Sequence, residues 1–161
     1  LLEKSLNELL KGSDTLISVK ITEYDDLIYE VQKEILSAKE EILIRVWSDE
    51  FVRIEKQLRK AEAKGINIQL LSFTPLNKPI GRTFSYNIDA KAFKENWKRG
   101  LALAVDNKKI IVGNKIGRSP IQGLITNDQL IAESIRDQIL LDLELAKGRL
   151  KRKEDAPNLE I

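Results

Sequence analysis

The sequence predicts an α/β fold with a mixed, mainly parallel sheet flanked by helices. Three observations predict it. Apolar runs rich in β-branched residues alternate with segments of about 15 residues whose apolar side chains recur at helical spacing. The connections between these first elements are short, as βαβ crossovers require. Later in the chain, two apolar runs flank Asp106-Asn107-Lys108, residues that tolerate positive φ, which marks a hairpin and makes the sheet mixed.

Taken in order, Leu2, Leu6 and Leu9 fall on one face of an amphipathic segment, which Gly12-Ser13-Asp14 ends. This segment reads either as a helix packed on its own domain or as the end of a linker and dimerisation helix over 1–12. Thr15 to Ile21 is a strand candidate. Thr22 is placed to cap the next helix, with Asp25 three residues on, and that helix buries Leu27, Ile28, Val31, Ile35 and Ala38. Glu41 to Trp47 has the nearly unbroken apolar run of a strand covered on both faces. Ser48 is expected to cap a second helix, with Phe51, Ile54, Leu58 and Ala61 on its buried stripe and Gly65 at its end. Ile66 to Phe73 is the third strand, so the first half reads β-α-β-α-β.

Two prolines and a glycine make Thr74 to Gly81 a loop. A short strand over 82–88 follows, then a segment over 89–98 that fits either a helix or irregular structure. Gly100 to Val105 and Lys109 to Gly113 are the arms of the hairpin, and Ile121 to Ile125 is the last strand. Thr126 and Gln129 form a capping box for a final helix expected to stop at Gly148. Ile131, Ile135, Ile139, Leu143 and Ala146 make one stripe on it, while Leu130, Leu140, Leu141 and Leu145 lie off that stripe. Apolar residues on two sides fit a deeply buried helix or one that also meets a second subunit. The main domain is therefore read as 13–148, followed by a charged tail over 149–161.

Composition narrows the chemistry. The net charge of +2 produces no field suited to nucleic acid or an anionic membrane. No cysteine is present, which removes disulfides and thiolate chemistry. No histidine is present either, which removes the usual general base near neutral pH and the commonest metal ligand. No apolar run approaches the roughly 20 residues of a membrane span, no signal peptide is visible, and the cytosol is the expected compartment. The first residue is Leu, so the chain reads as a fragment of something longer.

Residues 41–73 (EILIRVWSDEFVRIEKQLRKAEAKGINIQLLSF), 101–113 (LALAVDNKKIIVG) and 125–143 (ITNDQLIAESIRDQILLDL) together resemble the phospholipase-D-like domain of TrmB-type transcriptional regulators. The resemblance implies a phospholipase-D-like sandwich, a homodimer, a small effector that is often a sugar, and DNA binding through an upstream winged-helix domain absent from this chain. It also exposes a departure. Active phospholipases D carry His-x-Lys-x4-Asp, with His as the phosphoryl nucleophile. Aligned on Asp106, that pattern places Arg99 at the His position and Leu101 at the Lys position, and only Asp106 matches. The downstream Gly-Ser-x-Asn falls on Gly113, Asn114, Lys115 and Ile116, where only the glycine fits. A phosphohistidine route is closed to this chain, and the expectation is a non-enzymatic domain with no cofactor and no metal.

Other enzymatic readings are weaker. Residues 113–119 (GNKIGRS) lack the Gly-Lys-Ser/Thr ending of a phosphate loop. Asp25-Asp26, Glu40-Glu41 and Asp49-Glu50 sit where helix ends and solvated surfaces favour acids. A metal-dependent phosphodiesterase built from scattered carboxylates and a purely structural dimerisation module remain as alternatives to effector sensing.

Ligands of open α/β sheets bind beyond the carboxyl ends of the strands. The candidate set there is Trp47, Ser48, Ser72, Thr74, Arg82, Arg99, Arg118, Thr126 and Asn127. Trp47 offers a flat apolar face for a sugar or ring, and the arginines offer bidentate grips on an anion. Taken singly, each has a plainer reading, with Trp47 as core and the arginines as solvated surface.

Overall fold

A computed structural model describes residues 15–85, 99–115 and 120–155. Seven strands form one sheet: β1 (Ser18–Ile21), β2 (Glu41–Val46), β3 (Asn67–Ser72), β4 (Arg82–Ser85), β5 (Arg99–Val105), β6 (Lys109–Lys115) and β7 (Gln122–Thr126). The helices are α1 (Tyr24–Ser37), α2 (Ser48–Ala63) and α3 (Gln129–Asp155). The strand order is β1-β7-β6-β5-β2-β3-β4.

The α/β class, the mixed sheet and the flanking helices are as the sequence predicts. The expected β-α-β-α-β order of the first half is present, but its three strands are not all neighbours. β2, β3 and β4 are parallel neighbours, whereas β1 leaves them and pairs antiparallel with β7 at the far edge. The remaining pairs, β2 with β5, β5 with β6 and β6 with β7, are also antiparallel. All but β5 and β7 thus run the same way, yet only two of the six pairings are parallel. The cause is the hairpin, which inserts two centrally placed strands between β2 and β7.

Side-chain alternation sorts the core into two layers. Ile42, Ile44, Val46, Leu70, Leu103 and Ile111 face α1 and α2. Leu43, Leu71, Ala102, Ala104 and Ile110 face α3. The alanines of β5 on that side leave room for the α3 backbone, which brings its own Ala132 and Ala146. At the edge of this contact Arg45, the one cation in the β2 run, pairs with Asp142 of α3.

The expected helix caps are replaced by others. Glu23 is the N-cap of α1 and makes no side-chain cap hydrogen bond, so Thr22 is not the cap. Trp47 holds that position for α2, and Ser48 is already its first helical residue. Asp128 caps α3, its Oδ1 accepting from Ile131 N at 3.1 Å, while Thr126 Oγ1 accepts from Asp128 N at 3.0 Å. An aspartate two residues closer to the helix displaces the threonine because its carboxylate also complements the helix dipole. Gly65 does end the preceding helix, at φ +81°. Gly148 does not end α3, which runs through it to Asp155 and overlaps the expected tail; glycine within a helix costs only about 1 kcal/mol. Residues 1–12, read as a linker helix, lie outside the described residues.

Candidate functional site

Strand directions decide which of the expected site residues share a rim. β5 and β7 run opposite to β2, so their ends are exchanged relative to an all-parallel sheet. The carboxyl ends of β2 and β3 bring Trp47, Ser48, Ser72 and Thr74 together, and β5 starts there with Arg99. Thr126 ends β7 and Asn127 follows it, both at the opposite rim. Arg82 opens β4 opposite Gln69, also away from the carboxyl rim, and is exposed. Arg118 lies outside the described residues, and Arg99 enters as backbone only. The nine residues therefore do not form one site.

The carboxyl rim is bonded to itself. Trp47 is 3% exposed and is core rather than a stacking platform. Its ring meets Phe73 at a centroid distance of 4.9 Å. Both are the first residues past parallel, in-register strands, and Phe73 N donates to Val46 O at 3.2 Å. Ser72 is fully buried, donating its hydroxyl to Thr74 O and accepting from Thr74 N. Thr74 Oγ1 is buried with no partner among the described residues.

Next to these, Leu27, Leu101 and Ile121 pack beside the buried Glu50, whose Oε1 accepts from Tyr24 Oη at 3.0 Å. Leu101, at the position of the motif lysine, is 3% exposed. Leu27 of α1 lies against Gly113 so closely that a Cβ there would overlap its side chain. The void left between Tyr24, Glu50, Gly100 and Asn114 measures only about 10 Å³, room for no more than a single water.

The opposite rim is built around Asp106. Asp106 and Asn107 both have φ of 53°, the left-handed pair that the hairpin signature anticipates. The Asp106 carboxylate accepts from Lys39 N at 3.0 Å, Glu40 N at 2.8 Å and Glu41 N at 2.9 Å. Partial burial pushes this carboxyl up, but the three backbone donors, helped by Lys108, outweigh it and hold it below its ordinary value. The one residue that matches the phospholipase D motif is thus a structural clamp.

Asn127 clamps the neighbouring edge. Its Oδ1 accepts from Ile17 N at 2.7 Å, its Nδ2 donates to Thr15 O at 2.9 Å, and its own N donates to Ile17 O at 3.2 Å. Between the two clamps opens a cleft of about 710 Å³. Leu16, Ile17 and Val105 give it apolar walls; Lys108, Lys109 and Asp128 give it charge. Sequence reasoning placed Asn127 in a site but missed Lys108 and Asp128, because a lysine in a turn and an aspartate before a helix look like ordinary surface. Among the described residues no group of acids is arranged to hold a metal ion, and no helix is long and apolar enough to cross a membrane.

Comparison with known proteins decides the family. A sequence model of the effector-binding domain of the transcriptional regulator TrmB, N-terminal subdomain, matches residues 17–135. The chain belongs to this family. An uncharacterized protein from Bacillus subtilis, YrhO, is 24% identical over 93 residues, 58% of this chain and 34% of that relative. The chain thus spans about a third of the length of that relative. Among solved structures, the archaeal chromatin protein TrmBL2 superimposes with a TM-score of 0.64 at 11% identity, over 89% of this TrmB-family chain and 61% of the other. NucT from Helicobacter pylori gives 0.55 at 14% identity, covering 80% and 96% of the two chains. Nuc from Salmonella typhimurium, a phospholipase D family member, gives 0.51 at 16% identity, covering 78% and 91%. At these identities the structural likenesses establish the fold alone, and that fold is phospholipase-D-like.

Proposed function

We propose that this chain is the sensing and dimerisation part of a TrmB-like transcriptional regulator and that it carries no enzymatic activity of its own. The family match over residues 17–135 carries the regulatory reading. Two features support the non-enzymatic reading. The chain has no histidine, and the buried Leu101 stands where the aligned motif has its lysine.

Small-molecule sensing is assigned to the cleft at the hairpin rim. Its volume of about 710 Å³ falls within the roughly 300–1,000 Å³ of ligand sites. Dimerisation is assigned to α3, where Leu130, Leu141 and Leu145 are 75%, 65% and 59% exposed. They fall along one side of the helix, opposite Ile139 and Leu143 on the sheet side. The cleft borders the start of α3 through Asp128 and Gln129, so a ligand there that prefers one helix position shifts the dimer between arrangements. DNA would then be read by a separate winged-helix domain, as the family resemblance implies.

Sedimentation of the purified chain should give a concentration-dependent dimer. A thermal-shift screen with sugars, sugar phosphates and other metabolites should give at least one concentration-dependent gain. A strict monomer at high concentration would remove the dimer. Turnover of a generic phosphodiester, with or without Mg²⁺ or Mn²⁺, would remove the non-enzymatic reading.

A further inference from the structure

The cleft between the two clamps is lined by charged groups as well as apolar ones. Its three acids and two lysines differ in what they have left to offer. The Asp106 carboxylate is occupied by three backbone donors. Lys109 Nζ is paired with Glu34 Oε2 at 2.9 Å, and the Glu34 side chain is 12% exposed. Asn127 spends its amide on Thr15 and Ile17.

Two charged groups remain. Lys108, exposed at the hairpin tip, spends its backbone N on Val105 O, while its ammonium has no hydrogen-bond partner among the described residues. Asp128 uses Oδ1 to cap α3 and leaves Oδ2 unbonded among the described residues. The apolar residues lining the same cleft are Leu16, Ile17 and Val105. One open cation, one open anion and an apolar surface make a complement for a molecule with the same three parts reversed.

From this we infer that the cleft binds a small zwitterion with an apolar body, of which a free α-amino acid is the simplest form. Its carboxylate meets the Lys108 ammonium, its ammonium meets Asp128 Oδ2, and its side chain covers Leu16 and Ile17. Both charged contacts are of the strong, charge-assisted kind. Leu16 is 66% exposed and Ile17 40% exposed without a ligand, and covering them adds apolar burial. The walls are fixed in advance by the Asp106 and Asn127 clamps, so little ordering is required of the protein. The inference rests on the assignment of sensing to this cleft and gives that assignment a ligand class.

The test is titration of the full isotope-labelled chain, followed by NMR of its backbone amides. The twenty amino acids are run beside sugars and sugar phosphates. For any amino acid that binds, the matching carboxylic acid without the amine and the matching amine without the carboxylate follow. At least one apolar amino acid should give saturable shifts centred on Leu16, Lys108 and Asp128. Each single-charge analogue should bind about tenfold or more weaker.

Lys108→Gln and Asp128→Ser should each weaken binding by about the same factor. The serine keeps an oxygen for the helix cap, so loss of binding with intact spectra reports the missing charge rather than unfolding. Analogues that bind as well as the amino acid would overturn the inference. Cleft shifts with sugars or sugar phosphates and none with amino acids would overturn it while leaving sensing in place. No cleft shifts with any compound would overturn both.

Discussion

The two rims of the sheet were built from similar materials to opposite ends. At the carboxyl rim, Trp47 stacks on Phe73, Ser72 closes on Thr74, and Leu27 fills the slot at Gly113. At the hairpin rim, Asp106 and Asn127 draw strand ends and loops together while leaving about 710 Å³ between them. Side chains at both rims bond backbone; at the first they and the packed rings leave no room, whereas at the second the two clamps stand apart with a space between them.

That contrast can be broken by substitution, beginning where the effect is largest. Trp47→Ala removes a buried ring and should cost about 3–5 kcal/mol, read as a lowered denaturant midpoint. A small loss would mean that Trp47 is a surface platform after all. Gly113→Ala drives a methyl into Leu27 and should cost about 1–3 kcal/mol, with Leu27→Ala in the same chain recovering part of it. Additive losses in the double variant would show that the slot is not filled as described.

At the other rim, Asp106→Asn should cost about 1–2 kcal/mol near neutral pH, because a neutral amide oxygen replaces a charged acceptor, discounted for solvent screening. The pH dependence has a definite sign. The folded chain holds this carboxyl below its ordinary value of 3.8. Its contribution is therefore present above that value and is lost as pH falls through the lower folded value. Wild-type stability should fall more steeply with acid than that of the Asp106→Asn variant. Parallel curves would show that the three donors do not favour the charged form. The smallest effect on stability is expected from Leu141→Glu with Leu145→Glu, within about 0.5 kcal/mol for exposed positions. The same pair should convert a sedimenting dimer to monomer, and an unchanged dimer would move the interface off α3.

Most of the fold was legible because periodicity and turn chemistry are local. The strands, the helices, the Gly65 stop and the left-handed Asp106-Asn107 pair follow from neighbours a few residues away. The site was less legible because it depends on strand direction. A residue after β7 moves from one rim to the other when β7 runs antiparallel, and nothing near Thr126 or Asn127 encodes that reversal. The choice between core and rim for Trp47 is open in the sequence for a related reason. Its partner Phe73 is brought beside it by the β2–β3 register, which a strand read alone does not show. The capping assignments failed by one or two residues, since several of the residues before each helix, Thr126 and Asp128 among them, can accept a backbone hydrogen bond.

The hairpin clamp also bears on the order in which the chain assembles. Its hydrogen bonds join residues 65 to 67 positions apart in sequence, and they need both the β5–β6 turn and the start of β2 in place. Closing so long a loop is entropically expensive and gains little until the central strands have paired. The Asp106 contacts therefore form on the downhill side of the folding barrier. Substituting this residue should hasten unfolding and leave the refolding rate nearly untouched, which makes one turn aspartate a latch on the lifetime of the native state.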